Sequence, residues 1–244
     1  MSTPIPPGIA PTASTGDPHR IVRLDDRFTP EASDADGSTF RIGSASFRVA
    51  LPGVHNASNA ALCVLAGREL GIENGVIRDG LAAATPPTMR FERVEIETAS
   101  DPIVVINDAY NANPDSMRAA LTTFVGLQAP GRKIALLGEM LEMGATGPDE
   151  HRLLAAHAAG LGRLDRVVLL GALFGTVENG DPRLEVIPDR SDEAIARVAG
   201  TISPGDTVLI KGSRGVRLER LVANLGDIHA SGRSNGKENA QTPA

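Results

Sequence analysis

Ile103-Val104-Val105-Ile106-Asn107-Asp108-Ala109-Tyr110-Asn111-Ala112-Asn113-Pro114-Asp115-Ser116 is the stretch that decides the fold. Four β-branched residues stop abruptly at a turn rich in amides and acids. That is the pattern of a buried strand delivering polar side chains to the carboxyl edge of a sheet, where α/β proteins place their ligands. Pro114 suits the first turn of a helix, because its missing N–H costs nothing there, and Met117, Ala120, Leu121, Phe124 and Val125 recur at helical spacing over 116–127. Strand, ligand turn and helix are thus written into about two dozen residues.

Toward the carboxyl terminus the same rhythm repeats. Apolar runs at 103–106, 133–137, 167–170, 184–187 and 207–210 alternate with helical stretches near 116–127, 148–161, 192–201 and 216–225. This predicts an α/β fold with a mostly parallel sheet and helices on both faces. Toward the amino terminus the pattern changes. Short alternating segments at 21–24, 39–42 and 47–51, separated by Asp/Gly turns, predict a small antiparallel piece. A helix follows over 55–70, with Asn56 as its cap and an apolar surface that includes Leu62, Cys63 and Leu70, until Gly71 stops it. A second helix over 74–84 ends before Pro86-Pro87, which leaves Arg90 on the loop or strand edge beyond. Thr98-Ala99-Ser100-Asp101-Pro102 is loop chemistry between two strand-like runs, so the expected pieces are 20–98 and 100–226. The ends, 1–19 and 227–244, have little apolar content and are expected to be disordered.

Composition narrows the function classes. Of the 244 residues 41% are hydrophobic and 22% charged, as in soluble globular proteins, and no apolar run reaches the roughly 20 residues needed to span a bilayer. A membrane partner is therefore not expected. The formal net charge of -6 argues against general affinity for nucleic acid, although a local pocket can still hold a nucleotide. The single cysteine, Cys63, excludes an intramolecular disulfide and a Cys-rich metal site; within an apolar helical stretch it reads as a packing residue, with a reactive thiol as the other possibility. The Met1 end carries no basic, apolar signal segment, and a cytoplasmic location is expected.

Several constellations can carry chemistry, each with a plainer reading beside it. In Gly53-Val54-His55-Asn56 with Asn59, two amides occupy the first turns of one helix at its positive end, where they suit an adenine edge or a phosphate, or simply a cap and an exposed amide. His55 is a candidate for a metal or phosphate, or again a cap. Arg90, in Met89-Arg90-Phe91, presents a planar fork suited to phosphate oxygens, or an ion pair with Glu92 or Glu95. Asp108 at a strand end suits ribose hydroxyls, or an Asx turn. Glu139 and Glu142, in Leu137-Gly138-Glu139-Met140-Leu141-Glu142-Met143-Gly144, and His151 on the next helix are solvated or capping residues taken singly. Three strand-end clusters on one sheet edge, however, favour a shared cleft. Lys211-Gly212-Ser213-Arg214 brings two cations, a hydroxyl and a helix start to that edge, which suits an anion. No Gly-x-x-x-x-Gly-Lys-Ser/Thr loop occurs, the first lysine is Lys133, and the glycines of 138–144 do not fit the dinucleotide fingerprint.

Together, Gly53-Val54-His55-Asn56 with Asn59, Arg90, 107–116, 137–144, His151 and 211–214 resemble the Mur ligases of peptidoglycan synthesis. The segments Asp108-Ala109-Tyr110-Asn111-Ala112-Asn113-Pro114 and 138–144 are similar to the branch that adds D-alanyl-D-alanine to a UDP-N-acetylmuramoyl-tripeptide. The similarity runs from about 20 to 225 and covers only the later part of a typical family member. The resemblance implies that 20–98 is a small α+β remnant of a central ATPase domain and 100–226 a Rossmann-like carboxyl-terminal domain. It implies a reaction in which ATP, with Mg2+, phosphorylates a peptide carboxylate and the dipeptide amine attacks the acyl phosphate.

By position, the resemblance implies that Asn56 and Asn59 contact adenine, Arg90 the terminal phosphate and Asp108 the ribose hydroxyls. Tyr110, Asn111, Asn113, Lys211 and Ser213 would hold ATP, the incoming dipeptide or the closed arrangement, and Arg90 and Lys211 are the catalytic candidates. Asn107 departs from the family, which usually has a second Asp there. The phosphate-loop lysine, the carbamylated lysine and the metal ligands all lie upstream in relatives, so the chain is expected to be inactive alone and to need a separate polypeptide carrying the missing domains. The alternative is a non-catalytic nucleotide- or peptide-binding module.

Overall fold

The structure, a computed structural model, describes residues 28–238 apart from Ala35, Pro86, Glu178 and Asn179, and beyond Ala230 it describes the helix backbone only. The expected strand at 21–24 and the expected disordered end at 1–19 lie outside the described residues. The chain divides into two compact units that part between Pro86 and Pro87.

The first unit is a three-stranded antiparallel sheet in the order β1 (Phe28–Asp34), β2 (Gly37–Ile42), β3 (Ala45–Val49), followed by α1 (Val54–Glu69) and α2 (Asn74–Ala82). β1 was not expected, because Pro30 interrupts it and its side chains are largely exposed; the register shifts between Pro30 and Ala32, the kind of irregularity that lets a proline sit on an edge strand. Phe40, Ile42, Phe47 and Val49 alternate inward from β2 and β3 and pack on Ala57, Ala60, Ala61 and Val64 of α1. Gly53, not Asn56, is the amino-terminal cap of α1; Asn56 lies one turn inside, where its amide donates to Pro52 O at 2.8 Å. Cys63 is exposed rather than packed, as are Leu62 and Leu70.

The second unit is a six-stranded sheet in the order β4-β5-β9-β6-β7-β8. Its strands are β4 (Glu92–Ile96), β5 (Ile103–Asp108), β6 (Lys133–Gly138), β7 (Arg166–Leu170), β8 (Leu184–Ile187) and β9 (Thr207–Lys211). All pairings are parallel except β4 with β5. That antiparallel pair moves the boundary: Val94 and Ile96 pair across to Val105 and Ile103, so β4 belongs with the second unit and not with the piece ending at 98. The two strand-like runs flanking the 98–102 loop are the arms of one hairpin.

The core strands are continuous apolar runs because both faces are covered. α3 (Pro114–Gly126) and α4 (Gly147–Gly160) lie on one face, with Phe124, Met117 and Leu154 over Leu137 and Leu169. α5 (Asp192–Ala199) and α6 (Arg220–Glu238) lie on the other, with Ile195, Val198 and Leu221 over Leu136, Val168 and Ile210. α6 runs on through Gly226 to Glu238, where a disordered tail from 227 was expected; no proline interrupts 220–238, and once nucleated a helix satisfies its own backbone groups. No helix of the described residues is long and apolar enough to cross a membrane.

Candidate functional site at the carboxyl edge of the sheet

β9 enters between β5 and β6, and its register is what builds the site: Asp108 pairs with Lys211, and Leu137 pairs with Lys211 from the other side. The loop after β5 leads to α3 on one face and the chain after β9 leads to α6 on the other. Such a divergence opens a crevice at the carboxyl edge of a parallel sheet. The glycine that ends β6 and the one that follows β9 keep the exits close: a Cβ on Gly212 would sit 3.0 Å from Gly138 Cα.

Lys211 is buried, and its ammonium lies 2.7 Å from Asp108 Oδ2 and donates to Asn111 O at 3.0 Å. Asp108 is only partly covered; its Oδ1 accepts from Phe91 N at 3.2 Å. Each carboxylate oxygen has a second lone-pair direction, so Asp108 can still accept from a hydroxyl. The Asx turn considered for Asp108 belongs to its neighbour, since Asn107 Oδ1 accepts from Ala109 N at 3.4 Å. Asn107 Nδ2 donates to Glu92 Oε2 at 3.3 Å, which also accepts from Met89 N at 2.8 Å. A carboxylate at position 107 would face Glu92 with like charge, a physical reason for the amide here.

Arg90 pairs with neither Glu92 nor Glu95. Its guanidinium stacks on the Tyr110 ring, 4.2 Å from the centroid, while Glu95 is taken by Arg93. Met89 and Phe91, on either side, have φ of 60° and 55°. Two left-handed non-glycine residues cost about 1–2 kcal/mol each and persist only where surrounding bonds hold them. Tyr110 N to Met89 O at 3.1 Å and the bonds to Asp108 and Glu92 are those restraints. The sequence carried no sign of this strain.

The remaining predicted residues divide. Asn111 Oδ1 accepts from Ala112 N, and Asn113 forms a reciprocal cap with Ser116 that starts α3, so the side-chain oxygen of Asn113 is committed to the helix. Ser213 Oγ accepts from Leu141 N at 2.9 Å and Ser213 N donates to Glu139 O, which ties the exit of β9 to the loop after β6. Tyr110 is exposed. Asn56 and Asn59 belong to the first unit, where Asn59 is exposed on α1. His55 is part of no cluster that could hold a metal, and among the described residues no group of three or more His, Cys, Asp or Glu does so.

His151 does not face a cleft. It is fully buried, its Nε2 accepts from Met140 N at 2.9 Å, its Nδ1 lies 2.6 Å from Gly147 O, and Phe174 meets it edge-on. Glu139 is buried, accepts from Leu173 N, and pairs with Arg190 at 2.9 Å. Gly171 makes room for it: a Cβ there would lie 2.2 Å from Glu139 Cγ. Arg190 is the residue sequence reasoning missed. The available signal was Asp189-Arg190-Ser191 between the end of β8 and α5, a fourth polar cluster at a strand's carboxyl end.

A family model described as "Mur ligase, glutamate ligase domain" matches residues 89–214, more than half of the chain. The UDP-N-acetylmuramoyl-tripeptide--D-alanyl-D-alanine ligase of Bacillus subtilis is 32% identical over 186 residues, covering 74% of this chain and 40% of that protein. A crystal structure of MurF from Acinetobacter baumannii matches with a TM-score of 0.70 at 26% identity, over 82% of this chain and 45% of that one. The fold is shared with the MurF ligase of Thermotoga maritima solved in complex with ADP, at a TM-score of 0.63 and 23% identity, over 82% and 46% of the two chains. This chain spans about two-fifths of the length of the curated relatives it matches. The matched segment, the sequence identity and the shared fold agree: the chain belongs to the Mur ligase family.

Proposed function

We propose that this chain contributes nucleotide- and dipeptide-binding residues to an ATP-dependent ligase that joins D-alanyl-D-alanine to a UDP-N-acetylmuramoyl-tripeptide for peptidoglycan. In that reaction a carboxylate oxygen of the tripeptide takes the γ-phosphoryl group and ADP leaves. The dipeptide amine then attacks the acyl carbon, phosphate departs, and the amine loses a proton as the amide forms. The reading rests above all on Lys211 and Asp108, 2.7 Å apart at the carboxyl edge, with Lys211 also bonded to the turn at Asn111. A preorganised cation in a largely water-excluded setting is what stabilisation of transferred negative charge requires, and the acid holds that cation in place.

Asp108 is assigned the ribose hydroxyls, Arg90 a phosphate, and Asn56 and Asn59 the adenine. Tyr110, Asn111, Asn113 and Ser213 shape the place of the incoming dipeptide. Arg90 fits its role because no carboxylate neutralises it among the described residues and Tyr110 fixes its plane. The phosphates need more than these residues supply, since the sequence given holds no phosphate loop. The portion of the relatives with which this chain does not align would supply the rest of the site. A second reading is a module that binds nucleotide or peptide without turnover.

Titrating ADP and D-alanyl-D-alanine into isotopically labelled chain distinguishes the outcomes. Backbone shifts centred on Phe91, Asp108 and Asn111, reduced in Asp108→Asn, are expected. Shifts confined to other surfaces, or none at millimolar ligand, would remove the assignment. Phosphate release on adding the missing domains favours the ligase over the silent module.

A further inference from the structure

Arg190 stands at the carboxyl edge of the six-stranded sheet with most of its donors unspent. It follows β8, and its Nη1 donates to Glu139 Oε2 at 2.9 Å. Glu139 is built in as a tether: it is buried, its other oxygen accepts from Leu173 N at 2.9 Å, and Gly171 leaves it the space that a Cβ would take. The backbone of Arg190 is fixed as well, since Arg220 Nη2 donates to Arg190 O at 3.1 Å. The acids nearest in sequence do not neutralise the guanidinium. Asp189 accepts from Ser191 N at 2.9 Å and from Ser191 Oγ at 2.6 Å, and Asp192 pairs with Arg220. Arg190 keeps about half of its side chain exposed, and among the described residues its Nε and Nη2 have no partner.

A guanidinium held by Nη1 and open along its Nε–Nη2 side presents two parallel N–H groups, the fork that pairs with both oxygens of a carboxylate. Ser213 N donates to Glu139 O at 2.9 Å, so the tether starts beside the exit of β9 that carries Lys211. Lys211, Asp108 and Arg90 gather on the β5 side of that edge. β6 lies two strands from β5, about 10 Å by ordinary strand spacing, and an extended dipeptide spans about 7 Å. Arg190 is thus placed for an anion on the second substrate rather than on the nucleotide. We propose that Arg190 is a specificity-determining residue that binds the terminal carboxylate of the incoming dipeptide, with Glu139 as its positioning residue. The inference deepens the ligase reading and rests on it for the substrate class. Anchoring that end of the dipeptide leaves the amine as the terminus free to approach the acyl carbon.

The full 244-residue chain, isotopically labelled, is titrated with D-alanyl-D-alanine and with the carboxyl-terminal amide of the same dipeptide, and the Arg190 Nε–H signal is followed. A preference of about tenfold for the free acid, the worth of a charge-assisted hydrogen-bond pair, is expected, with the Arg190 signal moving for the acid alone. Arg190→Gln/Glu139→Gln, which strands no buried charge, should abolish the preference while the ADP shifts at Asp108 stay in place. Arg190→Lys keeps the charge without the fork and should retain only a small part of the preference. Glu139→Gln alone should give an intermediate preference at unchanged ADP affinity, a split that a purely structural Glu139 would not produce. Equal affinity for acid and amide in the parent chain, or a preference that survives in the double variant, overturns the proposal. So does loss of the ADP shifts in that variant, which would make Arg190 a contact of the nucleotide. An acid preference at Arg190 in a chain with no ADP response at Asp108 removes the ligase reading and keeps the carboxylate site. An ADP response at Asp108 with an unmoved Arg190 signal does the reverse.

Discussion

Two buried lysines stand on neighbouring strands at opposite ends of the six-stranded sheet, Lys133 opening β6 and Lys211 closing β9. Lys133 gives its ammonium to the last carbonyls of α3: Val125 O at 2.8 Å, Phe124 O at 3.3 Å, and Leu127 O. All three donors serve the backbone, and the cation caps the negative end of a helix. Burial, reinforced by Arg163 and partly offset by Asp165, pulls its pKa below the ordinary lysine value. Lys211 instead faces a partly open carboxylate and one carbonyl, and among the described residues its third N–H has no partner. The difference separates architecture from chemistry. A buried charge whose every donor is spent on backbone holds the fold together, whereas the one paired with an acid at a strand's carboxyl end leaves a donor unspent among the described residues.

The comparison breaks most sharply at Lys211. Lys211→Met strands Asp108 without its cation and should cost about 3 kcal/mol in urea unfolding, near the low end for a broken buried pair because Asp108 keeps some contact with water. The double variant Lys211→Met/Asp108→Asn should recover part of that loss, while nucleotide binding should not return. If the single and double variants are equally unstable, the pair is not the coupled unit described here.

Lys133→Met should cost less, about 1–2 kcal/mol, since it abandons three helix-end carbonyls but also removes a charge that burial penalises. ADP binding should be untouched. The pH dependence carries the sign: with a folded pKa below the unfolded value near 10.4, the unfolded chain binds more protons between the two, so stability at this site rises with pH across that window. Subtracting the Lys133→Met profile from that of the parent should expose the rise, and a flat difference would contradict the burial argument.

Glu139→Gln keeps the acceptor for Leu173 N but loses the charge facing Arg190, for an expected loss of about 1 kcal/mol, because half-exposed Arg190 is screened by water. Tyr110→Leu sharpens the comparison at its weakest point. Stability should move by less than about 0.5 kcal/mol, yet affinity for a non-hydrolysable ATP analogue should fall by about two- to fivefold as Arg90 loses its stacking partner, the worth of an exposed cation–π contact. An unchanged affinity in calorimetry would remove Arg90 from the nucleotide site.

The parallel strands were legible within a residue or two because strands covered on both faces read as unbroken apolar runs; β8 is 184–187 in both readings. β4 was harder. Glu92-Arg93-Val94-Glu95-Ile96 alternates as an edge strand on either side of a boundary would, and only its ladder with β5 assigns it to the second unit. β1 was invisible because a largely exposed strand containing a proline leaves no hydrophobic signature. At the site, the residue types were readable but not their hydrogen-bond partners: His151, Ser213 and Asn113 each bond a backbone N–H, which no local spacing specifies.

The amino-acid order by itself determined the succession of strand, polar turn and helix, because periodicity, proline position and capping residues act over a few neighbours. It also placed acids, amides and cations at the ends of the right strands. Only the tertiary structure decided that β9 slides between β5 and β6 with Lys211 opposite Asp108, and that Asn111 meets an ammonium a hundred residues further along the chain. Strand order and register come from burying both faces of one sheet at once, a condition that no local stretch of sequence contains.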